Sequence, residues 1–133
     1  SGWSPTRIAA FGGAAAIIVG SVSPWATVST AFGTLSINGT EGDGLITIAG
    51  GVVLLLLIGM TKHVGSIIVS ALTGAVLVYD LFNVNANVSG GGNEFVNASV
   101  GWGLWLATIG AVLAFLSSIT LYQEAKSAPE SAL

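Results

Sequence analysis

At 133 residues the chain is the size of one domain, yet 53% of it is hydrophobic and only 7% is charged, against roughly 25% charged in an ordinary soluble domain. Three Lys+Arg and six Asp+Glu, for a net charge of −3, cannot coat a water-facing surface, so a soluble enzyme, a nucleic-acid binder and a disordered chain are all close to excluded. Cysteine is absent, which removes disulfides, thiolate metal sites and cysteine nucleophiles together. With a mean hydropathy of +0.87, the chain reads as an all-α membrane protein, a single four-helix transmembrane bundle.

The first apolar stretch, Ile8 to Val28, follows Arg7 and is too long for the apolar region of a cleaved leader, so an uncleaved signal anchor is expected. Gly12, Ala16 and Gly20 recur in it at spacing four, a small-residue stripe against which a neighbouring helix can lie closely. Pro24 near its end either loosens the last turn or opens the next segment. In the connection of residues 29–43, Ala26 to Thr30 and Thr34 to Ile37 alternate around Phe32-Gly33, a hairpin signature. Asp43 then stands where an N-cap belongs. The second stretch, Gly44 to Met60, contains the aliphatic run Val52 to Ile58 and is expected to face lipid more than its neighbours.

A tight link, Thr61 to Val64, leads to the third stretch, Gly65 to Leu81, whose small-residue stripe is Ser66, Ser70 and Gly74. Residues 82–97 alternate on either side of Gly90-Gly91-Gly92 and suggest a second hairpin. Two hairpins on one side would pair into a four-stranded β cap, with Leu35, Ile37, Val84, Val88, Phe95 and Val96 on its apolar face; irregular ordered loops are the alternative. Asn97 or Ser99 is placed to cap the fourth stretch, Ala98 to Tyr122, which carries Gly103, Ala107 and Ala111. The tail from Gln123 to Leu133 is polar and is expected to extend the helix briefly before fraying.

Every basic residue falls on one side of this layout: Arg7, Lys62 with His63, and Lys126. The positive-inside rule therefore puts both termini in the cytoplasm, in a multi-pass cell-membrane protein, with Glu41, Asp43, Asp80 and Glu94 outside. Aromatics at headgroup level agree, with Trp25, Tyr79, Trp102 and Trp105 near the outer ends and Trp3 and Tyr122 near the inner ends. Asn38, Asn87 and Asn97 each begin an Asn-X-Ser/Thr sequon on the outer side and are candidate glycosylation sites.

Chemistry-bearing residues are scarce. His63 beside Lys62 reads as an interfacial residue, and no phosphate loop, zinc spacing or calcium loop is present. No cofactor and no catalytic residue are expected. Asp80 is the informative carboxylate: it is the one formal charge inside a predicted span, at the C-terminal end where the helix dipole disfavours it, with no cation on its side. It either reaches water, accepts hydrogen bonds, or meets a metal ion or a basic group; Asp43, with Glu41 and Glu94, makes a solvated acidic rim or a cation site. Asp80 and Asp43 are the only metal candidates.

The segments Pro24-Trp25-Ala26-Thr27-Val28, Gly39 to Thr47 and Gly101-Trp102-Gly103-Leu104-Trp105-Leu106 together resemble small four-span membrane proteins of actinobacteria and archaea. That resemblance implies an architecture and no activity. In outline the layout is also similar to tetraspan proteins such as claudins, although the Trp-Gly-Leu-Trp run here opens the fourth span and the paired cysteines are missing.

The expected function is that of a non-enzymatic structural or accessory membrane protein, embedded in the lipid bilayer and associating laterally with itself, as a homo-oligomer in a lattice or envelope, or with subunits of a larger membrane complex. The alternative is a small oligomeric channel or transporter, with Thr47, Ser66, Ser70, Thr73, Thr108, Ser117 and Ser118 as candidate path-lining hydroxyls. Such hydroxyls more often join helices.

Overall fold

The computed structural model describes residues 4–91 and 96–127; Trp3, Glu94, Phe95 and the last six residues lie outside them. Four helices alternate with a small sheet: α1 (Pro5–Ser21), β1 (Pro24–Thr30), β2 (Gly33–Asn38), a short 3-10 turn (Gly39–Glu41), α2 (Gly44–Gly59), α3 (His63–Gly91), β3 (Val96–Val100) and α4 (Trp102–Ser127).

Helix α1 begins with Pro5 in its first turn and with the Ser4 hydroxyl accepting from the Arg7 N–H at 3.2 Å, an N-cap that satisfies one of the orphan donors of a helix start. It ends at Ser21, not at Val28. Pro24 lacks the N–H a continuing helix needs, and the residue before a proline is pushed toward extended conformations. Pro24–Val28 accordingly belongs to β1. The predicted hairpin forms around Ala31-Phe32, with Thr30 opposite Gly33 and Gly33 at φ +135°, a conformation that favours glycine.

The second predicted hairpin does not form. Residues 82–91 continue α3, which at 29 residues is about 43 Å long. Once a helix is nucleated, each added residue contributes a hydrogen bond at little cost. Only β3 joins the sheet from this stretch, pairing antiparallel with β1 through Ala26↔Val100 to Thr30↔Val96. The cap is therefore a three-stranded antiparallel sheet in the order β2-β1-β3. Asn97 and Ser99 lie inside β3, and α4 starts at Trp102, after Gly101 donates its N–H to the Trp25 carbonyl at 2.8 Å.

The four helices pack in a ring, α1 against α2, α2 against α3, α3 against α4, and α4 against α1, the last pair in most extensive contact. Alanines 10, 14, 107, 111 and 114 dominate the buried core beside Ile17, Leu54, Ile58, Leu77 and Leu104. Between α1 and α4 the backbones themselves touch. A Cβ on Gly13 would lie 2.6 Å from the Gly110 carbonyl oxygen and one on Gly110 2.6 Å from that of Gly13; Gly20 and Gly103 oppose one another in the same way. Each pair sits two turns from the other, so one face of each helix is kept bare along that length.

Helix α2 buries a single stripe, Thr47, Gly51, Leu54 and Ile58, and exposes Leu45, Ile46, Val52, Val53 and Leu56. Its C-terminus closes with the Lys62 N–H on the Leu57 carbonyl at 2.8 Å and the Thr61 N–H on that of Ile58 at 3.2 Å, and Thr61 takes φ +59°. This is a Schellman closure with threonine where glycine is usual. The Arg7 guanidinium donates to the Gly59 carbonyl at 2.7 Å, satisfying an end carbonyl of α2 from α1.

Two helical segments, His63–Asn85 and Trp102–Lys126, are long and apolar enough to cross a membrane; α1 and α2 are shorter apolar helices.

Candidate functional site

The up-down order sends all described carboxylates but Glu124 to the sheet end of the bundle and all described basic residues to the other. The sheet end holds a cleft of about 480 Å³ between the hairpin, the 3-10 turn and α3. Trp25, Ala26, Val28 and Ile37 give it an apolar wall from the sheet, the connection into α2 brings Asn38, Glu41 and Asp43, and α3 brings Asp80, Asn83 and Val84.

Asp80 is 6% exposed, and its Oδ2 is fully covered with no hydrogen-bond partner. Its neighbour is another acid: the Asp43 side chain lies within hydrogen-bonding reach. Since α3 runs on to Gly91, Asp80 sits well inside the helix, and the expectation that it faces the negative end of the dipole is corrected. Asp43 does occupy the N-cap position of α2, but in helical geometry and with no side-chain cap bond. Its carbonyl accepts from the Ile46 and Thr47 N–H groups, leaving the carboxylate to Asp80. No group of three His, Cys, Asp or Glu among the described residues is arranged to hold a metal ion.

The wall is rigid because Trp25 is buried, 5% exposed, with its Nε1–H donating to the Gly20 carbonyl at 3.0 Å. A Cβ on Gly39 would run into that indole. Trp25 is therefore a structural residue of the helix–sheet junction, and its indole reaches the Gly20 carbonyl because α1 stops early. Tyr79, Trp102, Trp105 and Tyr122 are exposed.

The small-residue stripes fall unequally. Gly20, Gly103 and Ala107 lie in the α1–α4 contact, Ala16 touches it through its methyl group near Gly110, and Gly74 meets the Ala111 methyl group across α3 and α4. Gly12 does not take part: a Cβ there meets open space, and the close contact belongs to Gly13, one residue on. The close contacts at Gly13 and Gly20 are two helical turns apart, so they follow a repeat that the spacing-four stripe through Gly12 misses. Ser66 and Ser70 are buried and donate to local backbone carbonyls, Ser66 to Lys62 just before α3 and Ser70 to Ile67 within it. Thr108 donates to Leu104 in the same manner. Ser21 and Thr47 instead meet each other at 2.6 Å across α1 and α2.

Below the Gly74–Ala111 contact an open apolar groove of about 380 Å³ separates α3 from α4, floored by Ser70, Ala71, Gly74 and Ala75 on one side and Thr108, Ala111 and Phe115 on the other. At the end remote from the sheet, Lys62, His63, Tyr122 and Lys126 line a third cavity, with the Lys126 ammonium 5.9 Å from the Tyr122 ring centre.

Of the sequons, Asn38 ends β2 at the cleft, Asn87 falls within α3 and Asn97 within β3. The latter two are in regular structure, where a surface-loop acceptor was expected. The chain matches no protein-family model and no curated protein.

Proposed function

We propose that this is a non-enzymatic, four-span integral membrane protein that associates laterally with copies of itself or with a larger membrane complex. The observation that carries this reading is the α3–α4 groove, in which the small residues Ser70, Ala71, Gly74, Ala75 and Ala111 lie in the middle of the two longest apolar helices, flanked by Val78, Val112 and Phe115. Between lipid-embedded helices, association depends on close packing at small residues and not on water exclusion. A groove of this composition accepts a helix from another chain.

The flanks of the bundle support the bilayer placement. Ile8, Val19, Ile46, Leu56, Ile68, Leu72, Ile109 and Leu116 are all exposed, a belt of large apolar side chains between two polar ends. Arg7, Lys62 and Lys126 at one end then face the cytoplasm, and the sheet faces outward. At 17 and 16 residues, α1 and α2 are about 25 Å long, a few ångströms under the hydrocarbon thickness, which local thinning at the sheet end accommodates. The hydroxyls of Ser70 and Thr108 are satisfied within their own helices and that of Ser66 by the Lys62 carbonyl just before α3, which favours packing over an ion path.

The test is extraction in a mild detergent followed by native mass measurement and identification of every copurifying chain, on the natural sequence and on Gly74→Leu, which fills the groove. A defined complex that Gly74→Leu disperses supports the reading. A monomer in both, or ion flux in liposomes that Gly74→Leu leaves unchanged, refutes it.

A further inference from the structure

We infer that the cleft beside Asp80 is a binding site for a small amphipathic organic cation, an ammonium group carried on an apolar body, with Asp80 and Asp43 recognising the charge and the Trp25–Ile37 wall receiving the body. The inference stands apart from the lateral-association reading, since the groove and the cleft share no residue.

The first argument is charge. Glu41, Asp43 and Asp80 line one cavity, and the chain's whole supply of cations, Arg7, Lys62 and Lys126, is committed to the far end of the bundle. No cation of the chain lies at this end, so a counter-charge entering the cleft would come from outside the chain. A second, independent observation points the same way. Asp80 is more than nine-tenths buried, lines the cleft, and keeps one carboxylate oxygen without a partner. Buried polar atoms in native proteins are nearly always paired, so an orphan of this kind at the floor of a cavity marks a place where a donor is missing.

The remaining geometry selects the class of cation. A hard metal ion requires several oxygen ligands converging at short range, and no three acidic or histidine side chains among the described residues converge in that way. An alkylammonium needs less: three N–H donors distributed over one or two carboxylates. Much of the cleft wall is carbon, from Trp25, Ala26, Val28, Ile37 and Val84, which would be wasted on a bare ion but suits an attached hydrocarbon or ring. At about 480 Å³ the volume falls within the range of small-ligand sites, which are characteristically apolar with a few placed polar groups. Trp25 supplies rigidity, since its indole is pinned by the Gly20 carbonyl and crowded by Gly39, so the site is formed before a ligand arrives.

The experiment is a titration of the detergent-solubilised protein with phenethylammonium, 2-phenylethanol and Ca²⁺, followed by Trp fluorescence and by calorimetry. The expected result is saturable binding of phenethylammonium and none of the neutral alcohol, which carries the same ring and so also reports partition into the micelle. Asp80→Asn, nearly isosteric, should weaken the amine about tenfold or more, the scale of losing a charged hydrogen bond. Asp43→Asn should weaken it too, and its position at the mouth of α2 makes it the check should Asp80→Asn fold poorly. Equal response to amine and alcohol, amine binding that survives both substitutions, or tighter binding of Ca²⁺ than of the amine at the same site would each overturn the inference.

Discussion

Adjacent glycines on one helix should respond with opposite sign to the same substitution. Adding a methyl group at Gly12 meets nothing within 4 Å, whereas at Gly13 it meets the Gly110 carbonyl oxygen at 2.6 Å and the Ala114 backbone nitrogen at 2.7 Å. Both changes gain the same helix propensity, about 0.5–1 kcal/mol for Gly to Ala. At Gly12 that gain stands alone. At Gly13 the obstacle is backbone of α4, which has no rotamer with which to yield, so the helices must separate by a few tenths of an ångström or more. Overpacking of this kind costs about 1–3 kcal/mol, and separation would also loosen the Gly20–Gly103 contact two turns away. Gly12→Ala should therefore be stabilising by under 1 kcal/mol and Gly13→Ala destabilising by about 1–2 kcal/mol on balance. The measurement is reversible unfolding in mixed detergent micelles, followed by circular dichroism, at protein concentrations where the oligomeric state of both variants matches the parent. If Gly13→Ala is as stable as Gly12→Ala, the backbone contact between α1 and α4 is wrong.

Three further substitutions probe other links. Thr61→Gly should raise stability by about 1 kcal/mol in the same assay, because Thr61 holds φ +59° at a helix end where glycine carries no penalty; a loss would mean that its hydroxyl bond to the Met60 carbonyl outweighs the strain. Arg7→Ala should lower stability by about 1 kcal/mol through loss of the bond to the Gly59 carbonyl, with faster amide exchange in the last turn of α2, and unchanged exchange there would refute the tie. Trp25→Phe removes the Nε1–H donor while keeping most of the ring, leaves the Gly20 carbonyl without it, and should cost about 1–2 kcal/mol. A variant as stable as the parent would show that this bond contributes nothing.

Composition and order alone fixed the helical character, the start of α2 at Gly44, a first hairpin one residue from its actual turn at Ala31-Phe32, and the separation of basic from acidic residues along the chain. These are local or additive properties: apolar runs, turn residues and charge counts need no partner to be recognised. What the tertiary structure decided was each choice among partners. Residues 82–91 had a strand-like alternation yet continued α3, and of the stretch after the third span only β3 joined the sheet. Gly13 and not Gly12 became the contact because helix spacing identifies several candidate faces and only α4 selects among them. Trp25 reads from sequence as an aromatic at the end of the first span, but the early stop of α1 at Ser21, before Pro24, folds it inward onto the Gly20 carbonyl. Asp80 could be singled out from its isolation among apolar residues; that it meets Asp43, thirty-seven residues earlier by chain order, beneath a wall built by the sheet, depends on where α2 and α3 cross. Periodicity reports which residues lie on one face, and contact between faces is set by packing, which the chain settles only when it folds.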